Sequence, residues 1–295
     1  MANFEKIKGG YVNLKVDDIE YRIYYEENGN GIPLLLLHTA GSECLQYRFL
    51  MNDLDITKNF RCIAYDLPFH GKSLPPLNTE WWKKRYLLTL EFLIKFHEAL
   101  IEAFGLNRPV YMGSSMGGHL AADFAYYCPE KFCALIGLEG SLVTAPEHSK
   151  HSANDAYFFM YDNPFIGKEA LGGAMDMVIA TMTPDNIRKE ITWCYNKSGP
   201  GVFAGDINYY NHDHDLREKA KMIDVKKCML YLLTGSYDPA TKPSDTKKLA
   251  EEVKGCYFKE MENLGHFPVT ENYKLFKTYL IPVLNDIKER NSAQM

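Results

Sequence analysis

The sequence lacks any apolar run long enough to cross a bilayer, which takes about 20 residues, so a membrane-embedded function is not expected. It also lacks clustered charge of one sign. Lys, Arg, Asp and Glu are scattered and sum to −5, which argues against a nucleic-acid partner and against a polybasic membrane patch. No CxxC pair occurs. The seven cysteines, Cys44, Cys62, Cys128, Cys133, Cys194, Cys228 and Cys256, are odd in number and widely spaced, so they are expected to be reduced packing thiols rather than a disulfide framework. The opening Met1-Ala2-Asn3-Phe4-Glu5-Lys6 lacks the apolar core of a signal peptide. Together these absences make a cytoplasmic location the expectation. Internal repeats and low-complexity tracts are absent as well. What remains is a chain of 295 residues with 46% hydrophobic content, enough for a large core, and one α/β domain with an insertion is as natural as two domains.

Tyr11 to Val16 and Ile19 to Tyr25 read as a strand pair joined at Asp17-Asp18. Pro33 to His38 and Phe60 to Tyr65 have no polar alternation, which suits strands buried on both faces. Between Trp82 and Phe104, Leu90, Leu93, Ile94, His97, Leu100, Ile101 and Phe104 fall on one helical face, and Gly105 supplies a C-cap. Buried strands recur at Pro109 to Met112, Cys133 to Leu138, Cys228 to Thr234 and Cys256 to Met261. Helices are expected over Pro243 to Val253 and from Glu271 towards Arg290, with Pro282 kinking the last. Strands alternating with helices predict an α/β fold with a mostly parallel sheet and flanking helices. The alternation breaks between Ser141 and Asp224. Residues 141–224 are therefore expected to form a helical cap inserted into a core made of 1–140 and 225–295.

Gly113-Ser114-Ser115-Met116-Gly117-Gly118 places a serine between small residues, after an apolar run and before a helical pattern. That is the context of a GxSxG nucleophile elbow. The tight turn strains its central residue and leaves room only for small residues two positions before and after it. Ser115 has Gly113 and Gly117 at those places, whereas Ser114 would have Met112 and Met116. Ser115 is the candidate nucleophile.

A serine hydroxyl needs an imidazole base held in one tautomer by a carboxylate. Thr234-Gly235-Ser236-Tyr237-Asp238-Pro239 places Asp238 just past a strand end, and Asn263-Leu264-Gly265-His266-Phe267-Pro268 places His266 in the loop before the final helix, where open α/β sheets hold their ligands. An oxyanion needs two backbone donors. They are assigned to Met116, directly after the nucleophile, and to Ala40 in preference to Thr39 in the turn His38-Thr39-Ala40-Gly41-Ser42.

The chain resembles the α/β-hydrolase superfamily, in its capped branch. The carriers are HTAGS at 38–42, YDLPFHGKS at 65–73, GSSMGG at 113–118, TGSYDP at 234–239 and LGHFP at 264–268, which together span nearly all of the chain except the cap. The resemblance implies a Ser115-Asp238-His266 triad and a structural turn at Asp66 to Ser73, with no catalytic role for Asp66 or His70. Dehalogenases and epoxide hydrolases of this superfamily carry aspartate at the elbow, so Ser115 argues against both. Three departures stand out. Thr39 occupies a position usually glycine; Ser114 stands where many carbon–carbon bond hydrolases of the superfamily have asparagine, and Phe267 where those enzymes often have tryptophan.

Within the cap, Tyr157, Phe158, Phe159, Tyr161, Phe165, Trp193, Tyr195, Phe203, Tyr209 and Tyr210 suit a lid over an apolar or aromatic acyl substrate, and equally the packing of an insertion onto a sheet. Thr39, Trp193, Tyr209, Tyr210 and Phe267 are taken as substrate-binding. His97 and His119 are expected to pack on helices. His212-Asp213-His214-Asp215 has metal-ligand chemistry, but no flanking cluster completes a site, so a polar loop is preferred and neither metal nor cofactor is expected. The reading is a serine hydrolase of a small carboxylic ester, lactone or thioester. The alternatives are carbon–carbon cleavage of a diketone-type ring-fission product and a non-enzymatic ligand receptor on the same fold. The expected partner is the small-molecule acyl substrate; a homodimer is compatible with the sequence, which does not set the oligomeric state.

Overall fold

The computed structural model describes residues 4–144 and 163–292. An eight-stranded sheet runs in the order β1-β2-β4-β3-β5-β6-β7-β8. Its strands are β1 (Lys8–Val16), β2 (Ile19–Asn28), β3 (Ile32–Leu37), β4 (Phe60–Tyr65), β5 (Val110–Ser114), β6 (Ala134–Leu138), β7 (Met229–Gly235) and β8 (Tyr257–Met261). β1 and β2 pair antiparallel and β2 joins β4 antiparallel, while every pairing from β4 to β8 is parallel. Asp17 and Asp18, at φ 47° and 65°, form the left-handed pair that a two-residue hairpin turn requires, and acidic residues tolerate it better than branched ones.

Leu34 to Leu37 are wholly buried because both faces of the sheet are covered. One face packs on α1 (Leu90–Ala103) and α2 (Met116–Tyr127), and the other on α7 (Tyr273–Ser292). α1 starts at Leu90, the first residue of the apolar helical spacing. Thr89 caps it, its hydroxyl accepting from the Phe92 amide at 3.2 Å, and Trp81–Lys83 form a separate tight turn before it. α6 (Pro243–Glu252) matches expectation, and α7 runs through Pro282 as one helix.

Between β6 and β7 lie α3 (Pro164–Val178), α4 (Asp185–Lys197) and α5 (Val202–Asn208). Leu171, Ile179, Ile191, Tyr195 and Phe267 form a small apolar cluster of their own, so these helices carry a core apart from the two faces of the sheet. Tyr157, Phe158, Phe159, Tyr161 and the side chain of Phe165 lie outside the described residues. Among the described residues no helix is long and apolar enough to cross a membrane.

Candidate active site

β5 ends at Ser114 and α2 begins at Met116, so the chain reverses within one residue, Ser115. Its φ of 55° and ψ of −109° are a conformation that a side-chain-bearing residue adopts only under strain. The flanking glycines are explained by distance. A Cβ on Gly113 would lie 2.6 Å from the Gly117 carbonyl, and one on Gly118 would lie 2.0 Å from the Leu138 oxygen.

The structure brings the three residues expected of a triad together. His266 Nδ1 lies 2.7 Å from Asp238 Oδ2 and its Nε2 lies 2.9 Å from Ser115 Oγ. Asp238 follows β7; its other oxygen accepts the amides of Ala240 at 2.8 Å and Thr241 at 3.0 Å, which fixes the carboxylate plane. Burial, the largest influence on His266, opposes its charge, but the attraction and hydrogen bond of Asp238 outweigh it, with Glu271 adding to them, and the imidazole pKa is raised above its ordinary 6.5.

Glu271 went unrecognised in the sequence beyond its place at a helix start. Its buried carboxylate accepts the Gly265 amide at 2.7 Å and the Phe267 amide at 3.0 Å, clamping the backbone on both sides of His266. The His266 amide in turn donates to the carbonyl of Val178 at 3.2 Å. Only the folded loop aligns those amides, so no motif marks the glutamate.

The turn after β3 presents three successive amides. Thr39 N–H donates to Gln46 Oε1 at 3.0 Å and Gly41 N–H to Asp206 Oδ2 at 2.7 Å. Ala40 N–H, between them, has no acceptor among the described residues. Met116 N–H opens α2, where an amide has no intrahelical acceptor and the helix dipole favours negative charge. Among the described residues the geometry thus leaves without an acceptor the two amides assigned to the oxyanion.

The expected substrate contacts divide. Thr39 Oγ1 meets the Tyr195 hydroxyl at 2.5 Å, and Phe267 packs edge-on to His266 and to Tyr195, with centroids 5.2 and 5.7 Å away. Tyr210 stands beside His119, ring to ring at 5.7 Å. Trp193 and Tyr209 need correction. Trp193 is 53% exposed with the Lys197 ammonium over its ring, because Ile191 and Tyr195, four residues apart, hold the inward face of α4 and turn residue 193 outward. Tyr209 is wholly buried and gives its hydroxyl to the carboxylate of Asp123, so its polar tip is engaged in the core.

His97 and His119 have structural partners. His97 donates from Nδ1 to the Leu93 carbonyl at 2.7 Å and accepts from the Tyr65 hydroxyl at 2.6 Å; burial depresses its pKa to about 4. His119 Nδ1 accepts the Ser141 amide at 3.0 Å. Asp66 accepts the amides of Cys44 and Lys72 at 2.7 and 2.8 Å, as befits a structural turn. In the polar run at 212–215, Asp213 accepts the first amide of α1 at 2.8 Å and His214 bonds Asp123; these groups are occupied in holding helices.

Residues 32–167 match the family model described as alpha/beta hydrolase fold. The match covers just under half of the chain, and the fold it names is the one that the sheet and its flanking helices show. The chain is 31% identical over 139 residues to a 2-hydroxy-6-oxononadienedioate/2-hydroxy-6-oxononatrienedioate hydrolase of Burkholderia vietnamiensis, a match covering 46% of this chain and 46% of that protein, about half of each. A thermophilic esterase from Thermogutta terrifontis superposes with TM-score 0.82 at 18% identity, over 94% of this chain and 99% of that one. The enol-lactonase from Burkholderia xenovorans does so with TM-score 0.77 at 18% identity, over 94% of this chain and 100% of its own. These likenesses at 18% identity speak to the fold alone.

Proposed function

We propose that the protein is a serine hydrolase that cleaves a carboxylic ester, lactone or thioester carrying a small apolar or aromatic acyl group. The observation that carries the reading is the Ser115 hydroxyl at 2.9 Å from an imidazole whose other nitrogen is held by a buried carboxylate. Ser115 Oγ attacks the carbonyl carbon and passes its proton to His266 Nε2. The amides of Ala40 and Met116 hold the tetrahedral oxyanion. As the intermediate collapses, His266 protonates the leaving oxygen or sulfur. Water then attacks the acyl-enzyme, His266 takes its proton, and the carboxylic acid leaves with Ser115 restored, so each turnover consumes one water. The segment 141–224 acts as the cap, and Thr39, Tyr210 and Phe267 face the acyl group.

A second reading keeps the triad and changes the bond to carbon–carbon, favoured by the 31% identity to a hydrolase of 2-hydroxy-6-oxo dienedioates. Ser114 and Phe267 weigh against it.

Labelling with a fluorophosphonate, with mass spectrometry to locate the adduct, tests the nucleophile. Modification at Ser115 that disappears in Ser115→Ala is expected; folded protein that resists labelling overturns the reading and favours a receptor. A panel of esters, lactones, thioesters and ring-fission diketones then separates the two bond types.

A further inference from the structure

The loop between β4 and α1 lines a solvent-open pocket of about 480 Å³ that the proposed reaction does not use. Its walls are aromatic: Tyr21 from β2, Phe69, Trp81 and Tyr86 from the loop, and Phe92 from α1. Phe69 meets Tyr86 at 4.6 Å and Trp81 at 5.7 Å between ring centroids, and Tyr21 meets Phe92 at 5.5 Å. Neither the triad nor the two amides assigned to the oxyanion line it. Its volume lies in the range of small-molecule sites, roughly 300–1,000 Å³.

Two further observations point to an occupant. Phe69 has a φ of 73°, a left-handed backbone that bulky residues rarely adopt, and such strain clusters where a side chain must be aimed. The ring it aims forms part of the cavity wall. The cavity is also lined by Lys83, Lys84 and Arg85. Lys83 is paired with Glu80 at 2.6 Å, whereas Lys84 has no carboxylate partner among the described residues. An aromatic interior with an unneutralised ammonium at its rim complements a molecule with an apolar body and a single negative head.

We propose that this cavity is a second ligand site, taking a monocarboxylate whose body is a ring or a medium-length alkyl chain, with the carboxylate at Lys84. The site stands apart from the triad and does not depend on the hydrolase reading. A carboxylate-bearing product is the kind of molecule it would hold.

The chain has three tryptophans, Trp81 in the cavity wall, Trp82 beside it and Trp193 on α4, so intrinsic emission reports on the site. Decanoate, below its micellar concentration, is titrated into Ser115→Ala protein, which cannot turn over. A saturable emission change is expected that persists in Trp193→Phe. Lys84→Glu should weaken binding at least tenfold, and so should replacing decanoate by decanol. Lys84 is exposed, so the substitution removes no packing and the variant folds. Equal affinity for decanoate in Lys84→Glu overturns the proposal. So does an emission change seen only with anionic phospholipid vesicles, which would make the exposed tryptophans a membrane contact instead.

Discussion

His266 and His214 are both buried, and each holds an aspartate through Nδ1, at 2.7 Å to Asp238 and 2.9 Å to Asp123. What separates them is the other nitrogen. His266 Nε2 faces a hydroxyl, which can donate, so the ring keeps a lone pair there and can act as a base. His214 Nε2 faces the carbonyl of Ser141 at 2.8 Å, which only accepts, so that nitrogen carries a proton and offers no lone pair to a substrate, and the Asp123 carboxylate at Nδ1 favours the charged ring. A third pair repeats the second case. His70 holds Asp206 at 2.8 Å through Nε2 and the Pro68 carbonyl at 2.9 Å through Nδ1. Burial disfavours the charged form of both rings, yet their aspartates prevail and both pKa values are raised. An Asp–His pair is therefore not a catalytic signature; its second hydrogen-bond partner decides whether it is a base or a strut.

The sharpest way to break the comparison is to remove each carboxylate's charge in turn. Asp238→Asn should lower kcat roughly 10⁴-fold, through the wrong imidazole tautomer, and leave urea unfolding nearly unchanged. Asp123→Asn should do the reverse. It removes the charge that His214 is held against in the core, a loss of about 3–5 kcal/mol by equilibrium unfolding, with turnover per folded molecule retained. A second carboxylate sharpens the contrast, because Glu271→Gln leaves one acceptor oxygen for the amides of Gly265 and Phe267, which Glu271 holds with one oxygen each. We expect about a tenfold fall in kcat with KM unchanged, measurable by steady-state kinetics on a chromogenic ester, through a His266 set slightly out of line.

Changing pH should move the two functions in opposite directions. His266 must be neutral to accept a proton, and its pKa is raised, so kcat/KM climbs with pH through a midpoint above 6.5. The struts work with the proton on. A histidine whose folded pKa is raised stabilises fully below its unfolded pKa and loses that contribution as pH rises through the folded value. Melting temperature should therefore fall from pH 6.5 upward, over the range in which activity rises. The smallest effect separates two aromatic residues of the expected pocket. Trp193→Ala should change stability by less than about 1 kcal/mol and leave KM unaltered, since half the ring is in water, whereas Phe267→Ala should raise KM.

The elbow was legible because its constraint is local. Only small residues fit beside a reversed backbone, and Gly113 and Gly117 stand two places on either side of Ser115. Asp238 and His266 were legible because each directly follows or leads out of a recognisable strand. The parallel strands were visible as unbroken apolar runs, and the hairpin as two runs flanking Asp17-Asp18. The helix over Leu90–Ala103 was legible from its apolar spacing, which begins at Leu90, while its Thr89 cap was not, since that spacing does not record a cap residue. Trp193 and Tyr209 were misplaced for a related reason. Aromatic content reports that a segment buries area, but which ring faces a pocket depends on the rotation of its helix and on distant partners such as Asp123.

By itself the sequence determined the α/β order and singled out Ser115 as candidate nucleophile with Asp238 and His266 as the residues that meet it, because each rests on spacing within a few residues of a strand end. Tertiary structure alone decided that, among the described residues, the Ala40 amide rather than that of Thr39 or Gly41 has no acceptor, since Gln46 and Asp206 occupy its neighbours from other elements. It also decided which histidine of three similar pairs meets a donor. Those choices depend on groups 28, 91 and 136 positions apart along the chain, and their hydrogen-bond partners are set only when the chain closes on itself.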